Sequence, residues 1–249
     1  MVILKQPEEI VQAKAGNRIV AEALSTLREK VKPGITTREL DRIAEGVAER
    51  RGAKPAFKGY RGYPYALCTS VNEEVVHGMP SERVLQDGDI VGLDFGIYYQ
   101  GFYGDSAITL PVGRVSEEAA ELLRVTEESL YAAIREACQG NRLGDISAAV
   151  QGLVEAAGFS VVRDFVGHGI GRNLHEDPQI PNFGKKGRGI ELKKGMILAI
   201  EPMVNAGSHK VKILSDGWTV ITQDGGLSAH FEHSVAITDN GPEILSRVN

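Results

Sequence analysis

The stretch DIVGLDFGIYYQGFYGDSAIT, residues 89–109, constrains this chain more than any other. Two alternating runs rich in Ile, Val, Phe and Tyr flank Tyr98-Tyr99-Gln100-Gly101, the pattern of a β-hairpin. With Tyr99 and Gln100 as the tight loop, Asp94 faces Asp105. With Gln100 and Gly101 as the loop, the two aspartates become diagonal neighbours on one face. Asp is depleted in strands, and burying two unpaired carboxylates against each other costs several kcal/mol. The hairpin therefore calls for a cation, and a divalent metal is the natural one. Alone the spacing is weak, because acidic residues near hairpins are ordinarily solvated.

The rest of the chain strengthens that reading. At 249 residues with 42% hydrophobic and 24% charged side chains, it has the composition of a soluble globular protein able to bury a large core without staples. A net charge of -5 disfavours a nucleic-acid groove, and Lys185-Lys186 and Lys193-Lys194 read as solvated surface. There is no secretory signal pattern and no apolar run of membrane-spanning length, so a cytoplasmic protein without nucleic-acid or membrane partners is expected. Cys68 and Cys138 form no CxxC motif and suggest neither a disulfide framework nor a zinc ribbon.

Apolar spacing predicts a helix from Pro7 to Lys30, stopped by Pro33-Gly34, and a second capped by Thr36 or Thr37 and ended by Gly52. Residues 57–80 cluster Tyr, Gly and Pro before a strand-like run and a His77-Gly78 turn, and read either as a pocket wall or as a loop packed by its own tyrosines. His77 is a turn residue or a proton carrier. Helices are expected over residues 116–140 and 145–158, and a strand starting at Val161-Val162 leads into Gly167-His168-Gly169-Ile170-Gly171.

The chain also repeats itself. LQDGDIVGLDFG, from Leu85, aligns with LKKGMILAIEPM, from Leu192, at an offset of 107, which sets Asp94 over Glu201. DSAIT, ending at Thr109, is echoed by HFEHSVAIT, ending at Thr238, and Asp105 and Glu232 share strand parity. Two halves, roughly 1–112 and 113–249, packed about a pseudo-twofold axis would bring all four carboxylates to one interface. Four carboxylates cannot share a site without cations. His168, between glycines that let the backbone turn sharply, adds one nitrogen to many oxygens. That donor set favours Fe(II), Mn(II) or Co(II) over a structural zinc site. Since carboxylates bridge, two ions are expected, and such a pair can lower the pKa of a shared water, polarise a carbonyl and orient an amine, as amide hydrolysis requires.

With the two-aspartate hairpin, GHGIG, AIEPM and FEHS in order, nearly the whole chain resembles a type I methionine aminopeptidase of the bacterial form. The resemblance implies a single α/β (α+β) pita-bread catalytic domain over 1–249, with a curved, mostly antiparallel sheet covered by helices on one side and the metals on the other. The short interval from His168 to Glu201 leaves no room for the insertion of type II enzymes, and the start at Met1 implies no N-terminal extension.

The resemblance further implies that Asp94 binds one metal in bidentate fashion, Asp105 and Glu232 bridge, and His168 with Glu201 completes the other metal. It makes Glu201 the proton shuttle, sets His77 on the substrate backbone and gives His175 the developing oxyanion. Tyr60, Tyr63, Cys68 and Trp218 would line a methionine pocket, suiting a thioether, although Trp218 could equally be a buried core anchor. Three positions depart from the family pattern: Phe57 where cysteine is frequent, Leu174 before His175 where phenylalanine is common, and His230 for glutamine. Phe57 and Leu174 bear on pocket contour. His230 shares parity with Glu232 and is expected to touch the site.

The function so implied is removal of the initiator methionine from nascent polypeptides with a small second residue, through metal-activated water. The resemblance suggests a monomer, and ribosome binding suits the task although no segment argues for it. Two alternatives are an X-Pro-type peptidase, whose members usually carry an additional N-terminal domain, and a pita-bread module that binds peptides without catalysis.

Overall fold

The computed structural model describes residues 2–247; Met1 and Asn249, the outer limits set above, lie outside the described residues. Among the described residues, four long helices and a short 3-10 helix, Tyr60–Gly62, make up the helical part. The first, α1 (Pro7–Lys30), has Pro at its first position, Glu8 and Glu9 in its first turn and Arg28 and Lys30 in its last, each complementing the helix dipole. In α2 (Thr37–Arg50) the cap is Thr36: its Oγ1 accepts from Glu39 N at 3.2 Å while the Glu39 carboxylate accepts from Thr36 N at 2.8 Å.

The later helices differ from expectation at their ends. Helix α3 (Glu117–Glu136), capped by Ser116, stops short of Gly140, because the chain leaves helical geometry at Ala137 and turns back so that Gly140 N donates to Leu192 O. Helix α4 (Leu143–Ala156) starts two residues before Asp145, whose carboxylate accepts from Arg142 N at 2.7 Å and so occupies the third position of the first turn.

Fifteen strands complete the described residues. In the first half these are β1 (Lys54–Pro55), β2 (Leu67–Val71), β3 (Glu74–Val76), β4 (Ile90–Tyr99) and β5 (Phe102–Pro111). Between α4 and Glu201 come β6 (Ser160–Val161), which begins one residue before Val161, β7 (Gly167–Gly169), β8 (Glu176–Ile180) and β9 (Ile197–Ile200). The remainder are β10 (Met203–Asn205), β11 (Val211–Ile213), β12 (Val220–Thr222), β13 (Ser228–His230), β14 (Glu232–Thr238) and β15 (Gly241–Ile244).

The main sheet runs β1-β4-β5-β14-β9-β7-β8, with β2 also on β4 and β15 on β14, and these pairings are all antiparallel. Two three-stranded sheets, β13-β10-β6 and β11-β12-β3, flank it. Outward from the β5–β14 seam each half sets a partner strand, β4 or β9, and on it a strand bearing a cavity residue, Cys68 of β2 or His168 of β7, with two helices behind.

Alternation along the central strands separates two faces. Leu93, Phe95 and Ile97 of β4 pack with Leu24 and Leu27 of α1 and Leu40 and Val47 of α2. Leu198, Ile200, Val235 and Ile237 pack with Leu122, Leu130 and Ile134 of α3 and Ile146 and Val150 of α4. Burying each such large side chain stabilises the fold by about 1.5–3 kcal/mol. The helices cover one face only, and the intervening residues of each strand are left for the other. Among the described residues, no helix is long and apolar enough to cross a membrane.

Candidate metal centre

The hairpin adopts the Gln100-Gly101 loop: both residues have positive φ, 48° and 92°, which matches the twist of the flanking strands. Asp94 therefore pairs with Ala107 and Asp105 with Gly96, so the aspartates are diagonal neighbours. Across the seam Glu232 also pairs with Ala107, and His168 and Ser234 both pair with Ala199. The site is thus two adjacent rows of side chains running across the sheet. One holds Cys68, Asp94, Ala107 and Glu232, and continuing the β14–β9 register by one residue adds Glu201. The other holds Gly96, Asp105, Ser234, Ala199 and His168. In the second row Ser234 and Ala199 separate Asp105 from His168, and in the first Ala107 separates Asp94 from Glu232, while Glu232 and Glu201 are direct neighbours.

The chemistry of the cluster is unbalanced. Donor atoms of Asp105, His168 and Glu232 all lie within 4.8 Å of one another, and all three residues are buried. Asp94 Oδ1, Asp105 Oδ1 and Glu232 Oε1 are buried without a hydrogen-bond partner. Among the described residues, no lysine or arginine pairs with any of the four carboxylates. Burial pushes Asp94 up to about 7. Burial, reinforced by the neighbouring carboxylates, pushes Asp105, Glu201 and Glu232 well above their ordinary range. Orphaned buried oxygens around a common space are what a hard cation replaces, so this donor set fits divalent metal.

His168 is prepared as a ligand by its neighbour. Its Nδ1 lies 2.9 Å from the Gly169 carbonyl, which can only accept, so the hydrogen sits on Nδ1 and the Nε2 lone pair is free. Burial holds His168 and His230 at about 3, so both rings are neutral and their approaches to Glu201 are not ion pairs. His168 Nε2 is 3.5 Å from Glu201 Oε1 and His230 Nε2 is 3.8 Å from Oε2. His230 thus touches the site, as its parity leads one to expect.

A cavity of about 190 Å³ opens onto these rows. Its walls include Phe57, Tyr60, Tyr63 and Cys68 from the first half, and Leu174, His175 and Trp218 from the second. His77 also lines it, with φ of 60°, a strained conformation for a residue other than glycine. Its ring meets Phe165 and Trp218 edge-on, and burial lowers its pKa to about 4. Trp218 is half-buried and edge-on to Tyr63 with centroids 5.1 Å apart, which makes it a cavity wall and not a core anchor. Burial lowers the pKa of His175, and the ring stacks on Tyr60 with Nδ1 2.9 Å from the Tyr60 hydroxyl. Phe165 and Met203 also line the cavity and escape the sequence reading, although Met203 shares the parity of Glu201 two residues away.

The geometry agrees with known proteins. The model of metallopeptidase family M24 matches residues 12–239. The chain is 58% identical to a methionine aminopeptidase of Clostridium perfringens, over 100% of both. It superposes on the crystal structure of methionine aminopeptidase from Thermotoga maritima with a TM-score of 0.98 and 51% identity, covering 100% of each chain. The prolidase of Pyrococcus furiosus shares the fold at 24% identity, with a TM-score of 0.81 over 99% of this chain and 66% of that one. With the match spanning all but the chain's ends and full-length relatives at such identity, this chain belongs to metallopeptidase family M24, among the methionine aminopeptidases.

Proposed function

We propose that this chain removes the N-terminal methionine from nascent polypeptides with a small second residue, as a monomer in the cytoplasm. The observation that carries the reading is one cavity with ligand-type side chains on its floor and aromatic and sulfur groups on its walls. Asp94, Asp105, His168, Glu201 and Glu232 would hold two divalent ions. When bound, such ions supply Lewis-acid polarisation and water activation for amide hydrolysis.

The chain's own groups do the rest. Tyr63, Cys68 and Trp218 receive the methionine side chain, whose thioether favours aromatic and polarisable surroundings. Burial raises the Cys68 thiol well above its ordinary pKa, so that wall stays uncharged. His77 donates to the substrate backbone beside the scissile bond. With the Tyr60 hydroxyl donating to His175 Nδ1, His175 carries its hydrogen on Nε2 and offers it to the oxygen that gains charge. Glu201 takes a proton from the attacking water and returns it to the departing amine. The mirrored strand order supports a single catalytic domain built from duplicated halves, 1–112 and 113–249.

The test is hydrolysis of Met-Ala-Ser and of an X-Pro peptide by metal-stripped protein titrated anaerobically with Fe(II), Mn(II) and Co(II). Cleavage of Met-Ala-Ser restored by metal and abolished in Asp105→Ala is expected, and the titration ranks the ions. Cleavage of the X-Pro peptide alone would overturn the substrate assignment, and metal uptake without cleavage of either would overturn the catalytic one.

A further inference from the structure

The side chain of Glu201 lies between two imidazoles that approach different oxygens, His168 toward Oε1 and His230 toward Oε2. His168 faces Oε1, so Oε2 is the oxygen that turns away from it and toward His230. We infer that His230 is a positioning residue for Glu201: by presenting Nε2 to Oε2 it biases the orientation in which that carboxylate moves the proton. This rests on the aminopeptidase reading for its catalytic consequence, but not for the contact itself.

Several observations converge on the pair. The main chain of His230 is clamped from both sides by one hydroxyl, since His230 N donates to Thr109 Oγ1 at 2.9 Å and that hydroxyl donates to His230 O at 2.7 Å. The backbone is therefore fixed and only the ring can adjust. His230 is 4% exposed, lines the cavity, and keeps Nε2 buried without a hydrogen-bond partner. An unpaired buried nitrogen is costly, and the Glu201 carboxylate stands 3.8 Å away, just beyond hydrogen-bond reach. Glu201 is held through its own main chain, whose carbonyl accepts from Asn182 Nδ2 at 3.1 Å. That bond fixes the backbone and leaves the side chain to turn. A small rotation there closes the contact with His230, while His168 limits rotation from the other side. A ring serving only to fill space would not need to present a nitrogen to that oxygen.

The experiment compares His230→Phe, which keeps a ring and loses both nitrogens, with His230→Gln, whose amide offers both an N–H and a C=O. Each is loaded with Co(II), its visible absorption spectrum is recorded, and Met-Ala-Ser hydrolysis is measured. His230→Phe is expected to lower kcat about 10- to 100-fold, with KM changed less than about 2-fold, and to shift the Co(II) bands as the carboxylate reorients. His230→Gln is expected to recover kcat to within about 3-fold of the natural chain and to restore the spectrum. The inference is overturned if His230→Phe leaves kcat and spectrum unchanged, or if both variants are impaired alike. Should the natural chain cleave no methionyl peptide, the spectra alone decide: a shift in His230→Phe reversed in His230→Gln supports the contact, and its absence sinks it.

Discussion

Ser234 clasps Asp105 across the seam between the two halves: its Oγ donates to the Asp105 carbonyl at 2.8 Å and accepts from the Asp105 N–H at 3.4 Å. One side chain thus substitutes for a pair of ladder bonds, just beyond the β5–β14 pairing of Glu232 with Ala107 and His233 with Ser106. Ser234→Ala removes both bonds from a fully buried position. The loss is about 1–3 kcal/mol, which lowers Tm by about 2–10 °C in a chain of this size. Calorimetric unfolding checks this, and an unchanged Tm would mean that the strands hold Asp105 without the serine.

Removal of metal should make stability depend on pH in a defined direction. In the metal-free chain Asp94, Asp105, Glu201 and Glu232 all have folded pKa values raised by burial. Each therefore contributes stability that is full below the unfolded carboxylate pKa of about 4 and is lost as pH rises through its folded pKa, which for Asp94 is about 7. Tm of the stripped protein should fall between about pH 5 and pH 8. Saturating Mn(II) or Co(II), which binds the ionised carboxylates, should raise Tm more at the upper end of that range, adding about 2.7 kcal/mol at a hundredfold excess over Kd. A Tm that rises with pH in the stripped protein would contradict the raised pKa values.

How far the site can be read from the sequence follows from the same residues. Strand parity sets Asp94 and Asp105 on one face and puts Glu232 in phase with Asp105, because side chains alternate with a period of two whatever the strand's partner. The rows themselves are not legible. They depend on how β5 registers against β14, more than a hundred residues away, and the Asp105 backbone is caught there by a serine that no local pattern marks. The choice between the two hairpin loops is equally hidden: Gln100 must accept positive φ, which glycine favours and glutamine does not announce. Helix ends fail for a simpler cause. Gly140 and Gly158 look like stop signals, but both lie in the turns that follow and the helices end earlier, at Glu136 and Ala156.

Gly96 explains how Phe57 fits the cavity wall. A Cβ on Gly96 would lie 2.7 Å from Phe57 Cε1 and 3.2 Å from Ala56 Cβ, so Gly96→Ala must displace this ring of the cavity wall. The methionine pocket is reshaped by about one methyl group, and KM for Met-Ala-Ser should rise about 3- to 10-fold while kcat changes less. Adding Phe57→Ala should reverse much of the effect, and a double-mutant cycle measures the coupling. Additive losses would show that the ring is not what the missing side chain makes room for.

The buried ion pair of Lys5 with Glu176 should act on the cavity from behind. Both side chains are almost fully enclosed, at 2% and 3% exposure, and Lys5 also donates to the Ile3 carbonyl. Lys5 N donates to Gly195 O at 2.7 Å, which anchors the segment before α1 to the turn leading into β9. Glu176 in turn accepts from Asn173 N at 3.1 Å, closing the loop that presents Leu174 and His175 to the cavity. Gly171 permits this, because a Cβ there would lie 2.3 Å from Lys5 Cε. Lys5→Met leaves a carboxylate buried without its cation, a change that typically costs about 3–5 kcal/mol. Lys5→Met with Glu176→Gln removes both charges and should recover part of that loss, since a neutral pair avoids the uncompensated charge. If loop 171–176 is held mainly by this pair, Lys5→Met should also lower kcat/KM for Met-Ala-Ser about 10-fold by loosening His175, at temperatures well below its Tm. Stability lost with kcat/KM intact would confine the ion pair to folding.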